Sequence, residues 1–330
     1  MKAIVLLSGG LDSSLALKMI YDQGLDVLAL HFSSPFCQCD GSKGCGSSAR
    51  RISEFVGTRL RSVFLGEEYL EIVKNPRHGR GKNMNPCIDC RILKFVRAKQ
   101  IMAEERAAFI VTGEVLGQRP MSQHRRALDL IEKESGLQGL VVRPLSAKIL
   151  PPTIPEKEGW IDRSAFLGFH GRTRKPQIKL ARDLGINDYP CPAGGCLLTY
   201  SSFCGRIRDL LDHTDPDMND VELLKTGRHF RLTPEFKLAV GRDELENNKL
   251  IALAQPGDLI FNPIEVTGPT GIGRGHCGDA TALLAASIIA RYSDSGSGEC
   301  KISFQEVNGG KKDIIAADGI DEASISKLRI

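Results

Sequence analysis

The chain has 330 residues, 42% of them hydrophobic and 25% charged, with a net charge of +4. That length holds two domains, and the composition excludes collagen, a long coiled coil and wholesale disorder. The small net charge excludes a field of one sign over the whole molecule and leaves room for a local basic surface.

The longest apolar run, Ala280 to Ala290, falls short of the ~20 residues that a membrane span needs. Lys2 followed by Ala3–Leu7 imitates a signal peptide, but the run stops at Ser8-Gly9-Gly10 and meets Asp12. A cytoplasmic protein with no membrane partner is therefore expected. In a reducing compartment, 10 cysteines argue for metal binding or sulfur chemistry over disulfides.

In chain order, Lys2–Leu7, Asp26–Phe32, Arg61–Phe64, Phe109–Gly113 and Gly139–Val142 read as strands. Helical patterns run between them through Ser14–Gln23, Ser47–Phe55, Ile88–Glu105 and Ser122–Glu134. This alternation predicts an α/β fold with a doubly wound parallel sheet and ligands at the carboxyl ends of its strands. A proline-rich boundary follows at Leu150–Pro155, where regular helix is not expected. Residues 1–185 are assigned to the parallel-sheet domain, 186–218 to a cysteine-containing connector, and 219–330 to a smaller α+β domain.

Ser8-Gly9-Gly10-Leu11-Asp12-Ser13-Ser14 joins the first strand to the first helix. Glycines there bring backbone N–H groups close to an anion, the helix N-terminus adds partial positive charge, and the serine hydroxyls add donors. The plainer reading is a strand–helix turn capped by Asp12 or Ser13. No Gly-Lys-Ser/Thr follows, so this is not a Walker loop. The string is similar to the pyrophosphate-binding loop of ATP pyrophosphatases, which cleave ATP to AMP and pyrophosphate.

Cys87 and Cys90 stand where a loop becomes a helix, beside Arg91, Lys94, Arg97 and Lys99, a setting that favours thiolate. Cys191 and Cys196 lie in a Pro- and Gly-rich turn. Cys-x-x-Cys by itself serves zinc, an iron–sulfur cluster, a redox pair or nothing. Three thiolates around a [4Fe–4S] cluster would leave one iron open. Thr112–Gln118 ends a strand, where Gly113 would let a nucleotide approach.

Together, the Ser8–Ser14 loop, Cys87-x-x-Cys90, Thr112–Gln118 and Arg143-Pro144 resemble the tRNA 4-thiouridine synthases. Asn85-Pro86-Cys87…Cys90…Lys94-Phe95 is also similar to the tRNA 2-thiouridylases. The resemblance covers roughly residues 1 to 200. It implies an enzyme that adenylates a uridine carbonyl of tRNA and replaces the oxygen with sulfur. Ser8, Gly9, Gly10, Asp12, Ser13, Ser14, Gly113 and Gln118 are then expected at ATP and Mg²⁺, with Asp12 organising the phosphates. Cys90 and Cys191 would handle sulfur. Cys87, Cys90 and Cys191 would hold the favoured [4Fe–4S] cluster, with Cys196 as the alternative ligand. A persulfide and disulfide pair, or structural zinc, are the competing readings.

The 4-thiouridine synthases often carry an N-terminal RNA-binding region, whereas this sequence begins at the loop and shows no rhodanese-like C-terminal domain. Sulfur would then come from free sulfide or an external persulfide donor. RNA binding would fall to the C-terminal domain, where His229–Pro234 through Gly241-Arg242 is similar to an RNA-binding domain of ribosome-quality-control proteins. Whether the chain works as a monomer or a homodimer stays open. The competing functions are a ligase of the same ATP-pyrophosphatase type using ammonia or an amine, and a non-catalytic RNA-binding protein.

Three weaker signals remain. Cys37, Cys39 and Cys45, with His31 nearby, have a spacing that could hold zinc or iron. Gly273–Gly278 matches the dinucleotide fingerprint letter for letter but lacks a clear βαβ setting. Met121–Arg126 and Gly171–Lys175 are basic stretches suited to an RNA backbone.

Overall fold

Alanine, isoleucine and valine fill the middle of the first strand, β1 (Lys2–Leu6), and Ala3, Ile4 and Val5 are fully buried. Burial on both faces suits the centre of a parallel sheet. In the computed structural model, which describes residues 1–38, 45–189, 195–294, 299–310 and 312–330 without the Cys45 side chain, β1 takes that place. Around it lie β2 (Asp26–Ser33), β3 (Arg59–Phe64), β4 (Phe109–Thr112) and β5 (Val141–Val142). All pairings are parallel, in the order β3-β2-β1-β4-β5. The order reverses beside β1, so the loops after β1 and β4 flank a switch point. The expected α/β sheet is present.

The first helix, Leu11–Tyr21, begins earlier than its apolar periodicity indicates, because Gly10 is already its extended N-cap. The helix Cys87–Glu104 opens at the first cysteine of Cys-x-x-Cys. Leu11, Leu15, Leu17 and Ile20 pack with Val5, Val27 and Val111 in one core. Fully burying each large aliphatic side chain contributes about 1.5–3 kcal/mol.

The chain divides into two units, Met1–Thr199 and Tyr200–Ile330. The proline-rich run is a bend inside the first unit. A one-turn helix, Ile154–Lys157, starts there with Pro155 in its first turn, where a missing N–H costs nothing. Beyond it Ile161, Phe166, Ala181 and Ile186 rejoin the first core. Residues 186–218 are split between the units, and the helix Ser201–His213 belongs to the second.

The second unit is an antiparallel sheet of β6 (Arg228–Thr233), β7 (Phe236–Val240), β8 (Leu259–Pro263), β9 (Gly271–Gly275), β10 (Cys300–Glu306) and β11 (Asp313–Ala317). Its order is β11-β10-β8-β9-β7-β6. The helix Asp279–Arg291 buries Ala285, Ala286, Ile288 and Ile289 against Phe230, Phe236, Leu238 and Ile302. The dinucleotide-like string starts on β9, between antiparallel neighbours. A Cβ at Gly273 would fall 2.3 Å from the Phe236 ring, so the glycine there serves close packing. Among the described residues no helix is long and apolar enough to cross a membrane.

Candidate active site

The loop after β1 turns through Gly9, whose φ of 76° is the left-handed conformation that glycine adopts without strain. Ser13 Oγ donates to Gly10 O at 2.9 Å and accepts from Ser8 N–H at 3.2 Å, which folds the loop back on the helix start. Ser14 Oγ donates to the same carbonyl at 3.1 Å. No side chain caps the helix, so its first-turn N–H groups stay available to an anion.

Asp12 points across this opening. Gln118 Nε2 donates to its Oδ2 at 2.6 Å, and Gln177 Nε2 donates to Gln118 Oε1 at 3.0 Å. Arg174 Nη2 lies 3.7 Å from the same Asp12 oxygen. Asp12 Oδ1 is buried with no hydrogen-bond partner. Burial raises the Asp12 carboxyl pKa, with Gln118, Arg174 and Arg119 pulling the other way. A buried orphan carboxylate oxygen beside an uncapped helix suits the cation that accompanies a polyphosphate. Gly113 closes the other side: a Cβ there would lie 2.4 Å from the carbonyl of Asp12.

The strand-end segment is anchored from below. Glu114, 2% exposed, takes a hydrogen bond from Arg143 Nε at 2.9 Å and pairs with Arg91. Arg143 in turn pairs with Glu132. Burial alone would raise the Glu114 carboxyl, but Arg91 and Arg143 outweigh it and hold the pKa below its usual value. Arg119 follows this segment, and its pKa is lowered by desolvation and by the neighbouring Arg91 and Arg174, with Cys87 and Asp12 pulling the other way. Three crowded arginines suit a polyphosphate.

The cysteines meet around a buried tyrosine. Tyr69 hydrogen-bonds Cys90, and its hydroxyl pKa is pushed well up by burial, Cys90, Cys196 and Cys37. Cys37 and Cys196 face each other on an isolated antiparallel bridge. The Cys196 thiol is pushed up to about 12 by burial and by Cys90. Asn85 Nδ2 donates to Cys87 Sγ at 3.1 Å. Even so, among the described residues no three His, Cys, Asp or Glu side chains are placed to hold a metal ion. Cys191, Cys39 and the Cys45 side chain lie outside the described residues.

The structure therefore gathers Ser8, Gly9, Gly10, Asp12, Ser13, Ser14, Gly113 and Gln118 at one loop, and Cys87, Cys90 and Cys196 at the neighbouring segment. Cys37 stands with this second group. His31 hydrogen-bonds Leu7 O through Nδ1 at 2.9 Å, inside β2. Of the two basic stretches, His124 caps the helix Arg125–Ser135 by accepting from Ala127 N–H. Arg174 turns inward to Asp12. Sequence reasoning missed Tyr69, Arg119, Gln177 and the role of Glu114. Of these, only Glu114 and Arg119 had a signal, through their place in or next to Thr112–Gln118.

Residues 1–148 match the family described as Thiamine biosynthesis protein (ThiI), and residues 227–329 match the NFACT protein RNA binding domain. The tRNA-specific 2-thiouridylase MnmA of Mycobacterium ulcerans is 34% identical over 207 residues, 58% of this chain and 52% of that protein. The chain thus spans about half the length of the curated relatives it matches. A crystal structure of a 4-thiouridine synthetase–RNA complex with bound ATP is similar at 24% identity and a TM-score of 0.41, covering 67% of this chain and 52% of the other. The U34-tRNA thiolase NcsA of Methanococcus maripaludis with its [4Fe-4S] cluster is similar at 18% identity and a TM-score of 0.34, covering 68% and 71%. The resemblance carried by the Ser8–Ser14 loop and Cys87-x-x-Cys90 is borne out on the first unit, and the RNA-binding-domain likeness on the second.

Proposed function

We propose that the chain is an ATP-dependent tRNA uridine sulfurtransferase. The observation that carries this reading is the Arg91–Glu114 pair, which ties the helix that starts at Cys87 and Cys90 to the strand-end segment whose Gln118 holds Asp12. An enzyme that activates a carbonyl with ATP and then delivers sulfur needs its phosphate site and its thiols side by side.

ATP phosphates lie on the uncapped N-terminus of the helix Leu11–Tyr21, with donors from Ser8, Ser13 and Ser14. Asp12 Oδ1 is the oxygen offered to Mg²⁺, which when bound neutralises the phosphates and makes pyrophosphate a better leaving group. Gln118, itself held by Gln177, keeps Asp12 in place, and Gly113 lets the strand end pack against the Asp12–Ser13 backbone of the nucleotide loop. The uridine carbonyl oxygen attacks the α-phosphate and pyrophosphate leaves. A sulfide equivalent then attacks the activated carbon, and AMP leaves.

Cys90 and Cys191 are assigned to sulfur handling. Cys87, Cys90 and Cys191, with Cys196 as alternative, are the residues to hold a [4Fe–4S] cluster. The described residues alone do not form a ligand set for it. Tyr69 and Asn85 orient the Cys90 and Cys87 sulfurs. The partner is tRNA, and the relatives that support this are a thiouridylase family and an RNA-binding domain.

The test is turnover with ATP, tRNA and sulfide, reading AMP and thiolated nucleoside together. Equal amounts of the two are expected, and Cys90→Ala should keep ATP binding while losing thiolation. Thiolation by Cys90→Ala, or AMP release driven by ammonia without sulfide, overturns the reading. Iron and acid-labile sulfide counted in protein purified without oxygen separate cluster from persulfide chemistry.

A further inference from the structure

A cavity of about 400 Å³ in the second unit is lined by five arginines, Arg206, Arg228, Arg242, Arg291 and Arg329, together with Tyr292 and Glu322. They come from distant parts of the sequence: the helix Ser201–His213, β6, the turn after β7, the end of the helix Asp279–Arg291, and the chain's last residues.

Their partners fall short of their charge. Glu322 is shared, with Oε2 2.7 Å from Arg291 Nη2 and Oε1 3.8 Å from Arg329 Nη1. Arg242 pairs with Glu246 at 3.4 Å. Among the described residues, Arg206 and Arg228 donate to main-chain carbonyls alone, Leu224 O at 2.8 Å and Gly241 O at 3.1 Å. Arg206 Nε is buried with no hydrogen-bond partner, and the Arg206 pKa is lowered by burial and by Arg242, with Glu246 pulling the other way. A structural arginine in the same unit looks different: Arg274 donates to Asp258, Asp220 and Asn219 at 2.6–2.9 Å.

The pocket is also preorganised. The Arg228 guanidinium lies 4.4 Å over the Tyr292 ring, and Arg329 Nη2 donates to the Tyr292 hydroxyl at 2.9 Å. Stacking and a hydrogen bond hold two forks in place before any ligand arrives.

We propose that this pocket binds the phosphate monoester at the end of an RNA strand, an inference that rests on the second unit's reading as RNA-binding. An internal phosphodiester carries one charge, whereas a monoester carries about −1.5 to −2 at pH 7 and three strong acceptor oxygens. Five guanidiniums converging on one cavity against a single lining carboxylate match the monoester. Arginines that follow a backbone would instead be strung along a face.

The test uses the full chain and one short single-stranded RNA carrying either a 5′-phosphate or a 5′-hydroxyl, with uridine 5′-monophosphate and inorganic phosphate as competitors. The phosphorylated RNA is expected to bind at least about tenfold tighter, the worth of one charge-assisted hydrogen-bond set. Arg228→Gln and, separately, Arg329→Gln should remove that preference, so a folding failure in one variant leaves the other to decide. Equal binding of both RNAs overturns the monoester pocket and leaves RNA as the partner. Binding of neither overturns the RNA reading of the unit as well. Competition by uridine monophosphate or inorganic phosphate as tight as the phosphorylated RNA overturns the RNA end as the ligand.

Discussion

The two units collect arginine in opposite ways. In the first, Arg91 and Arg143 pair with the buried Glu114 and Arg174 lies beside Asp12, so these cations are matched to carboxylates close to the loop they steady. In the second, the pocket arginines lean on main-chain carbonyls and on one another, with Glu322 shared between two of them. A matched arginine builds a scaffold that holds a site. An unmatched group is itself a site, because only an arriving anion completes it. The sheets explain the difference. Parallel strands bring every following loop to one end, whereas antiparallel strands leave their ligand groups on strand flanks and helix ends.

The largest break in this comparison comes from removing the scaffold's carboxylate. Glu114→Gln leaves Arg91 without its carboxylate and the buried Arg143 with Glu132 alone, and should cost the first unit roughly 3–5 kcal/mol, read as a lower urea midpoint for its transition. Gly113→Ala should act on binding instead. Its methyl would meet the Asp12 carbonyl 2.4 Å away, shifting the loop and weakening ATP binding roughly a hundredfold by calorimetry.

A third prediction sharpens the electrostatic side of the second unit. Lys237 is pushed down to about 7 by burial, with Asp209 and Asp220 attractive and Arg231 and Arg206 repulsive; His229 lies in the same charged surroundings. Between pH 7 and 10.5 the unfolded chain holds a proton that folded Lys237 has lost, so stability rises with pH across that window. A gain of about 2 kcal/mol from pH 6.5 to 9 is expected, and Lys237→Met should flatten it in thermal scans. The smallest effect is Arg119→Gln. Losing one charged donor among several should weaken ATP binding about tenfold while the unfolding midpoint changes little.

Much of the first unit is legible from local pattern. Five apolar strand runs between amphipathic helices are enough for a doubly wound sheet, and the Ser-Gly-Gly-x-Asp-Ser string after the first of them marks the turn into the first helix at the candidate site. The helix Lys175–Asp183 and the one-turn helix at Ile154 escape this reading, since prolines and a basic run hide them. Tyr69 escapes because nothing in Glu67–Lys74 announces that its hydroxyl will reach Cys90. The dinucleotide-like glycines show the converse: the letters are present, but β9 runs antiparallel to its neighbours and Gly273 makes room for the Phe236 ring.

What residue order alone establishes is the Ser8–Ser14 strand–helix loop, the helix-start cysteines and the class of sheet. Each depends on residues within a few positions of one another, where chain geometry leaves little freedom. The meeting of Cys37 with Cys196, the turn of Arg174 toward Asp12, and the convergence of Arg206, Arg228, Arg242, Arg291 and Arg329 come only with tertiary packing. They join residues tens to more than a hundred positions apart, and backbone geometry places no limit on such distances until the cores form.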